Sequence, residues 1–259
     1  MIGKLFMKSV KYTELTPKEF KERLKAAPIA YLPLGTLEWH GEHLPLGSDG
    51  IQSQGFFEIL ARDVGGIVLP MLFLGPDRML KNGDQELYGM DICTNPQDDK
   101  CFYQNRQLDG SAYWVSEQLF EMILESVLFQ LSRAGFRIIV AHGHGPSTNF
   151  FKDHISIWEK KFGLKCFICW GSKYDEEGLG LQVDHAAMNE TSLVMALRPE
   201  LVKMDNLPQD KDTWPIGIAG KDPRTFASKD MGEKIIAHQS ERMATILRQA
   251  LMEVDNESN

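Results

Sequence analysis

Short apolar runs alternate along this chain with longer amphipathic stretches, and that alternation limits its folds more than any other feature. Residues 29–34, 67–71, 137–141 and 165–170 are short and almost wholly apolar, as strands buried on both faces are. Helical signals lie between them. Thr16-Pro17-Lys18-Glu19 is a capping box with proline at the first helical position, which predicts a helix from Pro17 to about Ala26. A second helix starts near Gly50, turns Ile51, Phe56, Ile59 and Leu60 inward, and stops at Gly65-Gly66. Leu119, Ile123, Val127 and Leu131 mark a long helix from 113 to about 134. Further helices are expected at about 151–161, 190–197 and 229–254. Strands and helices in this order imply an α/β fold with a mainly parallel sheet covered on both faces.

The 259 residues suit one large α/β domain or two small ones, and neither an internal repeat nor a domain boundary is visible, so 1–259 reads as a single domain. Residues 75–112 interrupt the pattern with a polar excursion rich in Gly, Pro, Asp, Asn and Gln. Its interspersed Tyr88, Met90, Ile92, Phe102 and Tyr103 favour an ordered segment over a linker.

A formal net charge of −8 argues against a nucleic acid or an anionic membrane as partner, since both need a basic face. No run approaches the roughly 18 apolar residues of a membrane span, and residues 1–8 lack the apolar core of a signal peptide. Cys93, Cys101, Cys166 and Cys169 are sparse and without framework spacing, which points to a reducing, cytoplasmic setting. Cys166 and Cys169 form a C-x-x-C inside an apolar run and read as core residues.

Polar residues then gather just past the carboxyl ends of two strands, where open α/β sheets hold their ligands. After 29–34 comes Glu38-Trp39-His40-Gly41-Glu42-His43-Leu44-Pro45-Leu46-Gly47-Ser48-Asp49. Glu38 and His40 share a side if the segment is extended, and Asp49, returning through Pro45 and Gly47, has two oxygens with which to bridge metals. His43, before Leu44-Pro45, suits packing rather than ligation. After 137–141 comes His142-Gly143-His144-Gly145, with His144 at the tip and His142 in a supporting or substrate-facing place. In Asp184-His185-Ala186-Ala187-Met188-Asn189-Glu190, Asp184 is placed to orient His185 as a carboxylate orients a catalytic imidazole. Glu190 opens an apolar helix, either as a buried ligand or as a charge favoured by the helix dipole. Each segment alone also fits a structural reading, with capping acids and satisfied histidines. Together they offer the oxygen and nitrogen donors of a divalent metal site.

Leu34 to Asp49, then Gly143-His144-Gly145, then His185-Ala186 with Glu190-Thr191-Ser192 resemble the creatininase (creatinine amidohydrolase) family in order and spacing. The resemblance runs from about Leu32 to Val202 and is poor over 75–112. It implies a three-layer α/β/α sandwich, a multimeric assembly (a homo-oligomer), and two divalent ions, Zn, Mn or Fe. By the same carry-over Glu38, His40, Asp49, His144 and Glu190 are the metal ligands, with Asp49 bridging. Creatininase has a glutamate two positions after the residue matching His144; Pro146 stands here, so Glu190 must supply that carboxylate. The asparagine of the family's usual Asn-Gly-His is replaced by His142.

These residues predict a hydrolase in which a metal-activated water attacks a carbonyl of a small cyclic substrate and His185 moves the proton. Creatininase clamps its flat substrate with a tryptophan four residues before the match to His185. Leu181 occupies that place, so creatinine is not expected as the substrate. The polar excursion, with Arg78, Lys81 and Asp91 as substrate-binding candidates beside His142, tilts the reading toward a hydroxylated ring such as a keto-inositol opened by carbon–carbon cleavage. A cyclic amide or formamide is the alternative. A metal-free sugar-binding or scaffold protein is the alternative outside catalysis. The excursion is expected to bury its apolar residues on a neighbouring subunit and to cover the site.

Overall fold

The computed structural model describes residues 9–92, 104–173, 175 and 177–257. Its central sheet is wholly parallel, in the order β2-β1-β5-β6. Strand β1 is Ile29–Leu34, β2 Ile67–Val68, β5 Ile138–Gly143 and β6 Lys165–Phe167. A separate antiparallel hairpin, β3 (Met79–Asn82) with β4 (Gln85–Tyr88), stands in the polar excursion. The helices are α1 (Pro17–Ala26), α2 (Ser48–Asp63), α3 (Glu117–Ala134), α4 (Gly145–Phe162), α5 (Met188–Leu197), α6 (Pro223–Phe226) and α7 (Lys229–Glu257).

The period-two geometry of a strand sorts the core into two halves. Ile29 and Tyr31 of β1, with Ile138 and Val140 of β5, face Phe56, Phe57 and Leu60 of α2, Leu193 of α5, and Met243 and Leu247 of α7. Ala30, Leu32 and Leu34 of β1, with Ile139 and Ala141 of β5, face Phe120, Leu124 and Leu128 of α3 and Phe151 and Trp158 of α4. The result is a three-layer α/β/α sandwich. Each fully buried Leu, Ile or Phe contributes about 1.5–3 kcal/mol to holding the layers together. Cys166 packs in one half-core and Cys169 in the other, so their thiols lie on opposite faces of the sheet. Burial pushes both thiols up to about 12, which leaves them inert. Cys93 and Cys101 lie outside the described residues.

Several boundaries differ from expectation for local reasons. Helix α3 starts at Glu117 rather than near 113, because Ser116 caps it by accepting from Leu119 N–H and Val115 N–H donates back to Gly75 O. Helix α4 starts at Gly145, because β5 runs straight into it with Pro146 in the first turn, where no amide hydrogen is needed. Strand β6 ends at Phe167, where its pairing with Val140 ends. Among the described residues no helix is long and apolar enough to cross a membrane.

Candidate active site

The carboxyl ends of the central strands β1 and β5 are drawn together at one point. His144 N–H donates to Leu34 O at 3.0 Å. Gly143, at φ +147°, makes that approach possible: a Cβ there would stand 1.7 Å from Leu34 O. The loop after β1 is pinned by Glu38 N–H donating to Leu46 O. Asp49 then falls in the first turn of α2, where a carboxylate is favoured by the exposed amides of a helix start.

Glu38, His40, Asp49, His144 and Glu190 are all at least 96% buried and all converge there. Asp49 sits between two imidazoles, with Oδ1 3.3 Å from His40 Nε2 and Oδ2 3.2 Å from His144 Nδ1. Glu190 Oε2 lies 3.5 Å from His40 Nε2, and Glu38 Oε2 lies 3.5 Å from His144 Nδ1. Backbone carbonyls set the tautomers, because a carbonyl only accepts. His40 Nδ1–H donates to Glu38 O, and His144 Nε2–H donates to Pro76 O. His40 Nε2 and His144 Nδ1 are thereby the nitrogens turned toward the carboxylates. Three-residue groups able to offer one donor each within 4.8 Å are His40, Asp49 and Glu190; Glu38, Asp77 and His144; and Glu38, His40 and His185.

Electrostatics follow from this crowding. Burial opposes charge on His40, but Asp49, Glu190 and Glu38 outweigh it and raise the imidazole to about 10. His144 is raised to about 9 in the same way, burial being outweighed by Glu38 and Asp49. Burial lifts Glu38 to about 8 against the pull of both imidazoles, and it lifts Glu190 well above the usual range. For Asp49, burial loses to His40 and His144, which hold it well below the usual carboxylate range.

His185 Nε2–H donates to Trp39 O at 2.7 Å, its Nδ1 lies 3.3 Å from Glu38 Oε1, and its ring stacks on His40. Burial, then the charge of His40, pushes it down to about 3. Asp184 does not orient it, which corrects the expected dyad. Its Oδ1 and Oδ2 accept the Glu190 and Asn189 amides at the start of α5, so the carboxylate is spent on helix capping.

The cavity above these groups has a volume of about 590 Å³, and its wall includes Glu38, His144, His185, Trp170, Gln182 and, from the excursion, Asp77, Arg78, Gly89 and Met90. Of the expected substrate-binding residues only Arg78 lines it. His142 is buried beneath, bonded through Nε2 to Leu181 O and edge-on to Trp170. Lys81 is exposed on the hairpin, away from the wall. Asp91 is buried and accepts the amides of Tyr88 and Leu108, so it holds the excursion in shape instead of meeting a ligand. His142, Lys81 and Asp91 are therefore corrected as substrate contacts.

Two residues escaped the sequence reading. Gln182, at φ +52°, donates through Nε2 to Asp49 O at 3.2 Å and fixes Asp49 from behind. Asp77 reaches the His144 side of the cluster from an irregular segment with no spacing signal, and only its place in Gly75-Pro76-Asp77 after an apolar run hinted at it.

A strand-end cluster of buried carboxylates and imidazoles on a three-layer sandwich has the donors of a divalent-metal site, and comparison with known proteins narrows the class. The family model for creatininase (creatinine amidohydrolase) matches residues 13–82 and 104–247, and the chain belongs to that family. A creatinine amidohydrolase of Pseudomonas putida is 25% identical over 274 residues, covering 93% of this chain and 97% of that protein. The crystal structure of a creatinine amidohydrolase (creatininase) superposes with a TM-score of 0.71 at 22% identity, covering 94% of this chain and 98% of that one. Two further creatininase structures, one a Mn form and one of Zn-Zn type, match at 22% identity with a TM-score of 0.70, each covering 94% of this chain and 99% of its own.

Proposed function

We propose that this protein is a metal-dependent amidohydrolase that cleaves a carbon–nitrogen bond in a small cyclic amide or formamide. Glu38, His40, Asp49, His144 and Glu190 would hold a pair of divalent cations. The observation that carries this reading is Asp49, whose two oxygens face two different imidazole nitrogens at 3.3 and 3.2 Å. The residues fit such ions. Glu38 Oε2 is buried without a hydrogen-bond partner, and the buried carboxylates need positive charge close by. Carboxylate and imidazole donors with no thiolate suit zinc, manganese or iron, in keeping with the Mn and Zn-Zn forms of creatininase.

When bound, such ions acidify a water and polarise a carbonyl. The chain's own groups do the rest. His185 Nε2–H is anchored on Trp39 O, which leaves Nδ1, 3.3 Å from Glu38 Oε1, as the nitrogen able to accept a proton. Nδ1 would take a proton from the attacking water and return it to the leaving nitrogen. Gln182 holds Asp49 in place. Trp170 offers an aromatic wall and Arg78 a cationic one to a flat, polar ring.

The preference for a keto-inositol finds no support in the comparisons, since the relative from Pseudomonas putida is named for amide hydrolysis. Creatinine stays disfavoured as a substrate, because Leu181 is in the half-core against α7 and cannot clamp a ring in the cavity. The experiment is to offer metal-loaded protein a panel of cyclic amides, formamides and keto-inositols, reading water addition by mass spectrometry. Turnover confined to amides or formamides supports the reading. Turnover of keto-inositols alone, or equal activity after chelation, overturns it.

A further inference from the structure

The carboxylate of Asp77 lies outside the three sequence segments that supplied the candidate ligands, yet it is built into the same cluster. It comes from the excursion just before the hairpin and is 95% buried by side-chain area, with Oδ2 3.5 Å from His144 Nε2. Its other oxygen, Oδ1, accepts Arg78 N–H at 2.7 Å, which fixes the carboxylate plane. Gly89, in a left-handed conformation at φ +53°, closes over it: a Cβ there would stand 2.5 Å from Asp77 Oδ2 and 3.5 Å from Glu38 Oε2. The turn after β4 thus needs a glycine because these two carboxyl groups already fill the space. Glu38 Oε2 is the same buried, unpartnered atom that marks the cluster as a cation site.

His144 has two distinct faces. Nδ1 looks toward Asp49 and Glu38, while Nε2 carries the hydrogen and looks toward Pro76 O and Asp77 Oδ2. A metal-bound imidazole usually gives its second N–H to a carboxylate or carbonyl, which fixes the ring and strengthens the ligand nitrogen. Burying a carboxylate beside Glu38 is costly in itself. The cost is offset if Asp77 serves a cation through His144.

We infer that Asp77 is a positioning residue of the metal centre: its carboxylate, 3.5 Å from the Nε2–H that His144 donates to Pro76 O, backs that side of the ring and holds Nδ1 at the ion shared with Glu38 and Asp49. This rests on the metal-dependent reading above and adds to it a residue supplied by the excursion. Pro146, two residues after His144, brings no carboxylate to this side, whereas Asp77 does.

The test is a competition titration of metal-free protein with Zn2+ alone against a chromophoric chelator, for wild type, Asp77→Asn, Asp77→Leu and, as a control on the exposed hairpin, Asp84→Asn. Asp77→Leu should weaken one Zn2+ by about 10–100-fold without loss of stoichiometry. Asp77→Asn, which keeps an acceptor oxygen, should lose less, and Asp84→Asn nothing. The metal-free variants should still melt cooperatively, which keeps the Zn2+ titration a reading of the site and not of the fold. Unchanged Zn2+ affinity in both Asp77 variants overturns the inference. Complete loss of one equivalent also overturns it, by making Asp77 a direct ligand. Wild type that binds no Zn2+ at all would instead bring down the metal-dependent reading itself.

Discussion

The loop that joins β1 to α2 and the polar excursion at 75–112 meet at one cavity, but they are built on different principles. The loop hangs between two regular elements, pinned by Glu38 N–H to Leu46 O and by the approach of His144 N–H to Leu34 O. Its Glu38, His40 and Asp49 are aimed by strand and helix ends. Among its described residues the excursion has a small hairpin and one 3-10 turn at Gly89–Asp91, and side chains such as Asp91, which ties Tyr88 to Leu108, help hold it. It adds Asp77, Arg78, Gly89 and Met90 to the cavity wall. On the proposed reading, groups outside the excursion carry the chemistry, while the excursion supports the centre through Asp77 and shapes what reaches it.

On that division the largest loss of rate comes from outside the excursion. His185→Gln should lower kcat by about 1,000-fold, or about 4 kcal/mol of barrier, with metal content unchanged by elemental analysis. Asp184→Asn should act through the start of α5, lowering the melting temperature without shifting the pH profile of kcat. A pH profile shifted as strongly as in His185→Gln would restore the Asp184–His185 dyad and break the comparison.

A second effect separates structure from chemistry within the same loop. His43 donates to or accepts from Thr191 Oγ1 at 2.8 Å and is 1% exposed. Burial, then the charge of His40, pushes it down to about 4 from an ordinary 6.5. A depressed histidine stabilises the fold fully above pH 6.5. Below that the unfolded chain takes up the proton first, and the contribution falls until about pH 4. The amount is about 3 kcal/mol. Denaturant melts of metal-free protein from pH 7 to pH 4 should lose less stability in His43→Gln than in wild type. Equal pH slopes would remove His43 from this role.

The smallest effect belongs to the excursion. Arg78→Ala should raise KM by about 10-fold, near 1.4 kcal/mol, and leave kcat and metal content within error. A fall in kcat with KM unchanged would place Arg78 among the reacting groups.

What the sequence made legible tracks the same division. Apolar runs and capping signals located β1, α1 and the order of the layers, because burial on both faces and hydrogen-bond needs at helix ends act over a few residues. Glu38, His40, Asp49, His144 and Glu190 stood out as oxygen and nitrogen donors past two strand ends or at a helix start, and the resemblance to the creatininase family joined them into one ligand set. Asp77 did not stand out, since a coil residue reaches its partner by tertiary folding that no periodicity encodes. Asp184 misled for a related reason: adjacency to His185 suggested a dyad, but the amides of Asn189 and Glu190 compete for the same carboxylate and win. His142 stays in the strand, against Leu181 O, while Gly143 at φ +147° breaks the alternation and turns His144 alone toward the cavity.

The central claim is that Asp49 joins two cation sites. A calorimetric titration of metal-free wild type and Asp49→Asn with Zn2+ tests it directly. The account predicts two equivalents for wild type and at most one, weakly held, for the variant. Fewer than one equivalent in wild type, or two equally tight equivalents in Asp49→Asn, would contradict it.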